Sequence, residues 1–187
     1  MSMLSTLRSD AAKNRERLIH EARTLFLTEG AGSLEAIARA AGVGIGTLYR
    51  HFPTREALVE AVYQRELDAL ERDAVGLLAK HSGVEAMRLW MDRYADFVAT
   101  KHAMHDPLRA VLATRSPAVS ETRKRINIVV GILIAAGTRD GTLRNDVQPD
   151  DVTLSLAGVV LAAATSSDAD QARRLLDILM AGLQRRP

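Results

Sequence analysis

The sequence predicts an all-α fold of about nine helices. Three observations carry this. Aromatic residues make up only 4% of the chain while alanine and leucine abound, a composition that favours helices over strands. Apolar residues recur at helical spacing, as in Leu18, Ala22, Leu25 and Phe26, which stand at i, i+4, i+7 and i+8. No strand-like alternation persists anywhere, and there is neither an internal repeat nor a low-complexity tract.

The elements follow in order. Ser9 or Asp10 is a cap for a first helix over about 13–28, and Gly30 stops it. Ser33 caps a short second helix with Glu35 at its positive end, and Gly42 follows where a left-handed residue is expected. A third short helix covers about 44–51 and ends at Pro53, which cannot continue the backbone ladder. Thr54 caps a long fourth helix whose seam is Tyr63, Leu67, Leu70, Ala74 and Leu77. An amphipathic helix covers 84–102, a short one 107–114, and another runs from Pro117 to about Ala136. A turn-rich loop leads to a helix starting at Asp150 or Asp151, and Asp168 starts the last.

The 187 residues allow a small domain joined to a medium one, with length enough to bury a core. The division is expected at residues 1–55 and 56–187. Without cysteine there are no disulfides and no thiolate metal site, which fits a reducing compartment. The amino terminus has no apolar stretch of signal-peptide length. The longest apolar run, Ile126 to Gly137, falls short of the ~20 residues of a membrane span. A cytoplasmic protein without a membrane partner is therefore expected. Net charge is +2, but residues 1–55 hold eight basic against five acidic residues. A basic head on a near-neutral body points to a polyanion for the head.

The second and third helices, separated by Ala41-Gly42-Val43, follow the helix-turn-helix plan. The third would enter a DNA major groove. Thr47 and His51 lie on one flank of it and Tyr49 on the other, so each can donate to a phosphate wall. Arg55 adds a cation beside the start of the fourth helix. Arg50 is free for a guanine edge or a phosphate. Ile45 and Gly46 allow only apolar or close backbone contact. The stretch "IARAAGVGIGTLYRHFPTREALVEAVY" resembles the DNA-binding signature of TetR-family transcriptional regulators. That resemblance implies a homodimer on a palindromic double-stranded DNA operator, most often a repressor, released by a small-molecule effector. It places phosphate contacts on Ser33, Thr47, Tyr49, His51 and Arg55, and base readout on Ile45 and Gly46 with Arg50. Ile45 stands where many members carry a polar residue, so reading there leans on shape and van der Waals fit.

For the body, the resemblance implies a helical ligand-binding and dimerisation domain whose last two long helices pair across a two-fold. Residues 152–164 are apolar on most sides and rich in small side chains, as a buried helix requires. Leu154, Ala157, Gly158, Leu161 and Ala162 would form the pairing face, with Leu175, Leu176, Leu179 and Leu183 on the last helix. Met87, Trp90, Met91, Tyr94, Phe97 and Met104 suit an apolar effector cavity, although plain core packing would use the same residues. Leu108, Leu112, Val130 and Leu133 could extend the lining, and Arg109, Arg123 and Asn127 could give polar specificity. His102, His105 and Asp106 lack a further firm ligand before Pro107, so no metal and no cofactor is expected. Two other classes compete. A helical enzyme would need a nucleophile or phosphate-loop motif, and none is present. An architectural DNA-binding protein would not need a body of over a hundred residues.

Overall fold

The computed structural model describes residues 3–29, 32–104, 108, 117–168 and 170–185. Among them are eight helices: α1 (Met3–Glu29), α2 (Leu34–Ala40), α3 (Ile45–His51), α4 (Arg55–Leu78), α5 (Gly83–Ala103), α6 (Pro117–Arg139), α7 (Pro149–Ala163) and α8 (Gln171–Leu183). The short helix expected at 107–114 lies outside the described residues except for Leu108, which is buried. Among the described residues the only strand-like pairing is an isolated bridge between Leu143 and Gln184. No helix among them is long and apolar enough to cross a membrane. Internal contacts divide the chain into two units, 1–65 with 100–115, and 66–99 with 116–187.

In the first unit, α1 begins at Met3 rather than after a cap at Ser9 or Asp10. The intervening residues include good helix formers and no breaker, so nothing local stops the helix there. Ser33 is extended (φ −69°, ψ 153°), and its hydroxyl accepts from Ala36 N–H at 3.1 Å, satisfying an orphan donor of α2. Gly42 takes φ 67°, and the next amide, Val43 N–H, returns to Ala38 O at 3.0 Å. A side chain with a Cβ resists that left-handed backbone. Thr54 Oγ1 accepts from Ala57 N–H at 3.1 Å and so restarts the chain as α4 after Pro53. Ile37, Leu48, Phe52 and Leu58 are fully or almost fully buried and join Leu18, Ile19, Ala22 and Phe26 of α1 in one apolar core.

In the second unit, the later part of α4 buries Leu67, Leu70 and Ala74. Trp90 on α5 is 0% exposed and donates Nε1–H to Leu70 O at 2.9 Å, which satisfies its polar edge. Arg125 on α6 forms a two-point pair with Glu71 (Nε to Oε1 2.6 Å, Nη2 to Oε2 2.8 Å) and reaches Asp68 at 2.7 Å. These bonds hold α6 to α4. Glu85 reaches back over the start of α5, its Oε2 accepting from Ser82 N–H at 3.0 Å and from the Ser82 hydroxyl at 2.8 Å, which is the carboxylate half of a capping box. Two further caps come from the loop after α6. Asp140 Oδ2 accepts from Gly83 N–H at 2.6 Å, and Thr142 Oγ1 accepts from Val84 N–H at 3.1 Å. The same loop is pinned to the end of α8 by Arg144 N–H to Leu183 O and Arg185 N–H to Thr142 O, both 3.0 Å.

Asp140 sits at the amino end of α5, where a carboxylate is favoured. Its hydrogen bonds, the Thr142 hydroxyl first and the Gly83 amide second, hold its carboxyl below the usual carboxylate range. A depressed folded value gives stability that is present above the unfolded value, near ~3.9. That stability fades as pH falls through the folded value. Asp140→Ala is therefore expected to cost about 1 kcal/mol at neutral pH, the usual worth of a helix cap. In urea melts the gap between wild type and variant should narrow as pH is lowered from about 7 towards 2.

Candidate nucleic-acid interface

The outward side of α3 is set by its inward side. Leu48 and Phe52 are buried. Two residues along a helix turn it by about 200°, so Gly46 and Arg50 stand opposite them, and both are exposed. Ile45 (38%) and Tyr49 (46%) are exposed on one flank. Thr47 and His51, half-buried, occupy the other. The sequence-derived arrangement of two flanks around a central line is thus present. No acidic residue lies on α3, and Arg50 and His51 occupy its last turn.

The polar groups differ in how far they are committed. Ser33 accepts the capping bond, which leaves its O–H free to donate. Arg50 folds back along its own helix. Its Nε donates to Gly46 O and its Nη2 to Thr47 Oγ1, both at 3.1 Å. Arg55, expected at a phosphate, also braces the scaffold: Nη1 donates to Gly32 O at 2.9 Å, and the guanidinium lies 5.5 Å from the Phe26 ring centroid. That position is half-buried, and the guanidinium supplies the Gly32 carbonyl with a donor. Two cations of α1 that sequence reasoning did not single out also flank the motif. The Arg15 guanidinium lies 5.3 Å from the Phe52 centroid. Arg17 Nη1 lies 3.9 Å from where a Cβ on Gly42 would stand. Only their packing reveals this, although their charge was visible.

In the second unit, Met87, Trp90, Met91, Val130 and Leu133 are 0% exposed, and Tyr94 and Phe97 nearly so. The rings of Trp90 and Tyr94 lie 5.8 Å apart, and those of Tyr94 and Phe97 6.3 Å apart. Met104 and Leu108, buried too, belong to the first unit. Arg109 and Leu112 fall outside the described residues, as do His105 and Asp106. Arg123 is exposed and engaged, its Nε donating to Asp150 Oδ1 at 2.8 Å. Asn127 Nδ2 donates to the same carboxylate oxygen at 2.7 Å. Since a carboxylate only accepts, the amide nitrogen must face it, and Asn127 Oδ1 is left over. That oxygen and Thr153 Oγ1 are the two buried side-chain oxygens without a hydrogen-bond partner among the described residues. Thr153 was passed over in the sequence because it sits in an apolar helix.

The residues expected to form a pairing face differ in exposure. Leu154 (49%) and Leu161 (55%) are exposed on α7, together with Gly158 and Ala162, while Ala157 is half-buried. On α8, however, Leu176 and Leu183 are buried inside their own unit, and Leu175 and Leu179 are half-buried. The open side carries Ile178, 69% exposed, followed by Ala181 and Gly182. The cause is the packing of α8 on α7, which takes the leucine stripe for the interior. Among the described residues no group of three or more metal-ligating side chains gathers.

Two family models match the chain. One described as bacterial regulatory proteins, tetR family, covers residues 18–62, and one described as the C-terminal domain of SbtR-like transcriptional regulators covers residues 83–185. A TetR transcriptional regulator of Streptomyces coelicolor of known structure is 41% identical, with a TM-score of 0.81 over 92% of this chain and 99% of that one. A TetR regulatory protein of Mycobacterium vanbaalenii is 32% identical, with a TM-score of 0.77 over 96% and 99% of the two chains. An HTH-type transcriptional regulator of Staphylococcus aureus is 36% identical over 101 residues, 52% of this chain. The chain spans about half the length of such curated relatives, 55% in that case.

Proposed function

The chain belongs to the TetR family of bacterial regulatory proteins, and from that premise we propose that it is an effector-responsive, DNA-binding transcriptional regulator. It acts in the cytoplasm as a homodimer, without catalysis, and its default action is repression at a palindromic operator. The observation that carries the DNA reading is α3 itself. An acid-free helix presents Ile45, Gly46, Tyr49 and Arg50 outward, with Thr47 and His51 on one flank. Tyr49, His51, Thr47 and the Ser33 hydroxyl reach phosphates on the groove walls. The exposed apolar face of α7 and α8 around Leu154, Leu161 and Ile178 supports the pairing of two such helices.

The effector binds in the second unit. Asn127 Oδ1 and Thr153 Oγ1, buried without partners, anchor its polar end, and the Trp90–Tyr94–Phe97 cluster meets its apolar part. The effector acts by biasing a two-state equilibrium. The α4 helix, which contributes residues to both units, transmits the change and alters the spacing of the two reading helices from the one-turn value of ~34 Å. Selection of bound duplexes from a random pool tests the DNA reading. A palindromic consensus is expected, and no enrichment over background would reject it. Tyr49→Phe should weaken binding to all selected sequences alike, by roughly fivefold for one lost phosphate hydrogen bond. Loss confined to particular sequences in fluorescence anisotropy would remove Tyr49 from the phosphate set.

A further inference from the structure

We infer that Arg50 reads a guanine in each operator half-site and that Thr47 acts through it as a positioning residue. The inference rests on the regulator reading above and names the base pair which that same helix recognises. Arg50 stands on the outermost line of α3, opposite the buried Leu48 and Phe52. A guanidinium has two edges that can form paired hydrogen bonds. The side edge, Nε with Nη2, is already engaged with Gly46 O and Thr47 Oγ1. The end edge, Nη1 with the second Nη2 hydrogen, is not. That end edge is a fork matched to guanine O6 and N7 in the major groove, a pairing that no other base offers with two acceptors.

The clamp has an energetic consequence. A free arginine must order several rotors when it docks, whereas one held by its own helix has less to lose. It also has a geometric one. An arginine folded along its helix has a short reach, so the helix backbone must come close to the base edges. Gly46, one turn earlier on the same line, has open space around the position a Cβ would take, and its missing side chain permits that approach. Thr47 then has a role that a phosphate contact alone would not give it: its oxygen orients the fork.

The test is selection from a random duplex pool with wild type, Arg50→Ala and Thr47→Val, followed by anisotropy titrations on the wild-type consensus and on duplexes changed at single positions. The wild type is expected to fix one G·C pair per half-site. Arg50→Ala should reduce the preference for guanine there from about tenfold or more to near none, while other positions keep theirs. Thr47→Val should reduce the same preference several-fold. Guanine preference unchanged in both variants, or a wild-type consensus without a fixed G·C pair, would overturn the inference while leaving the regulator reading intact. A Thr47→Val effect that is uniform across sequences would leave Thr47 its phosphate contact alone and overturn its positioning role. Absence of any wild-type enrichment would overturn the regulator reading and this inference together.

Discussion

Gly83→Ala is expected to destabilise the second unit by about 3–5 kcal/mol, combining overpacking with lost helix caps. The first residue of α5 lies against α6 so closely that a Cβ on Gly83 would stand 2.2 Å from Gly137 Cα, 2.4 Å from its N and 3.0 Å from Ala136 C. These are backbone atoms of a helix, so no rotamer change relieves the clash. The start of α5 would have to withdraw and would lose the Asp140 and Thr142 caps. In a thermal melt this corresponds to a fall of roughly 10 °C. Two companion variants separate contact from propensity. Gly137→Ala meets the Leu143 side chain first, at 2.4 Å from Cγ, so it should be damaging alone and partly rescued by Leu143→Ala. Gly76→Ala on α4 meets nothing within 4 Å and should raise stability by about 0.5–1 kcal/mol, since alanine loses less backbone entropy. A Gly83→Ala variant as stable as wild type would show that the two helices do not meet in this way.

That glycine pair marks where sequence reading stops. The Ser33 cap, the left-handed Gly42 and the Thr54 cap are all legible because each is decided within four residues. The return of Glu85 onto Ser82 is equally local, three residues apart. Gly83 and Gly137 are glycines for a reason that lies 54 positions away in the chain. Nothing near either residue announces it. Arg55 shows a second kind of limit. Its place in the motif allows a phosphate contact, but its bond to Gly32 O depends on how the α1–α2 connection returns to α4. For α1 the signal was ambiguous in kind, since Ser9 and Asp10 cap helices well and are also tolerated inside them. For α3 the periodicity separated inside from outside correctly, but the fold-back of Arg50 onto Thr47 is a rotamer choice that no pattern encodes.

Ile178→Glu is expected to convert the proposed dimer to a monomer and to lower operator affinity at least 100-fold, because a monomer holds only one half-site. The leucine stripe of α8 looked like the pairing face, yet Leu176 and Leu183 are 1% and 5% exposed within their own chain. A substitution at either would test core stability. Ile178 is 69% exposed, so the same change there leaves the core intact. In a two-fold interface each substitution occurs twice. Losing the burial of an isoleucine costs about 2 kcal/mol per copy, and desolvating a carboxylate without a partner adds at least about 1 kcal/mol more. Two copies together then weaken association by about 6 kcal/mol, or more than four decades in dissociation constant. Leu161→Glu, 55% exposed on α7, should act alike if both helices share the face. Sedimentation velocity at micromolar protein reads the assembly, and circular dichroism confirms an unchanged fold. A folded, still dimeric Ile178→Glu protein with wild-type operator affinity would move the pairing surface away from α8. A folded monomer that retained full affinity would instead remove the need for pairing on the operator.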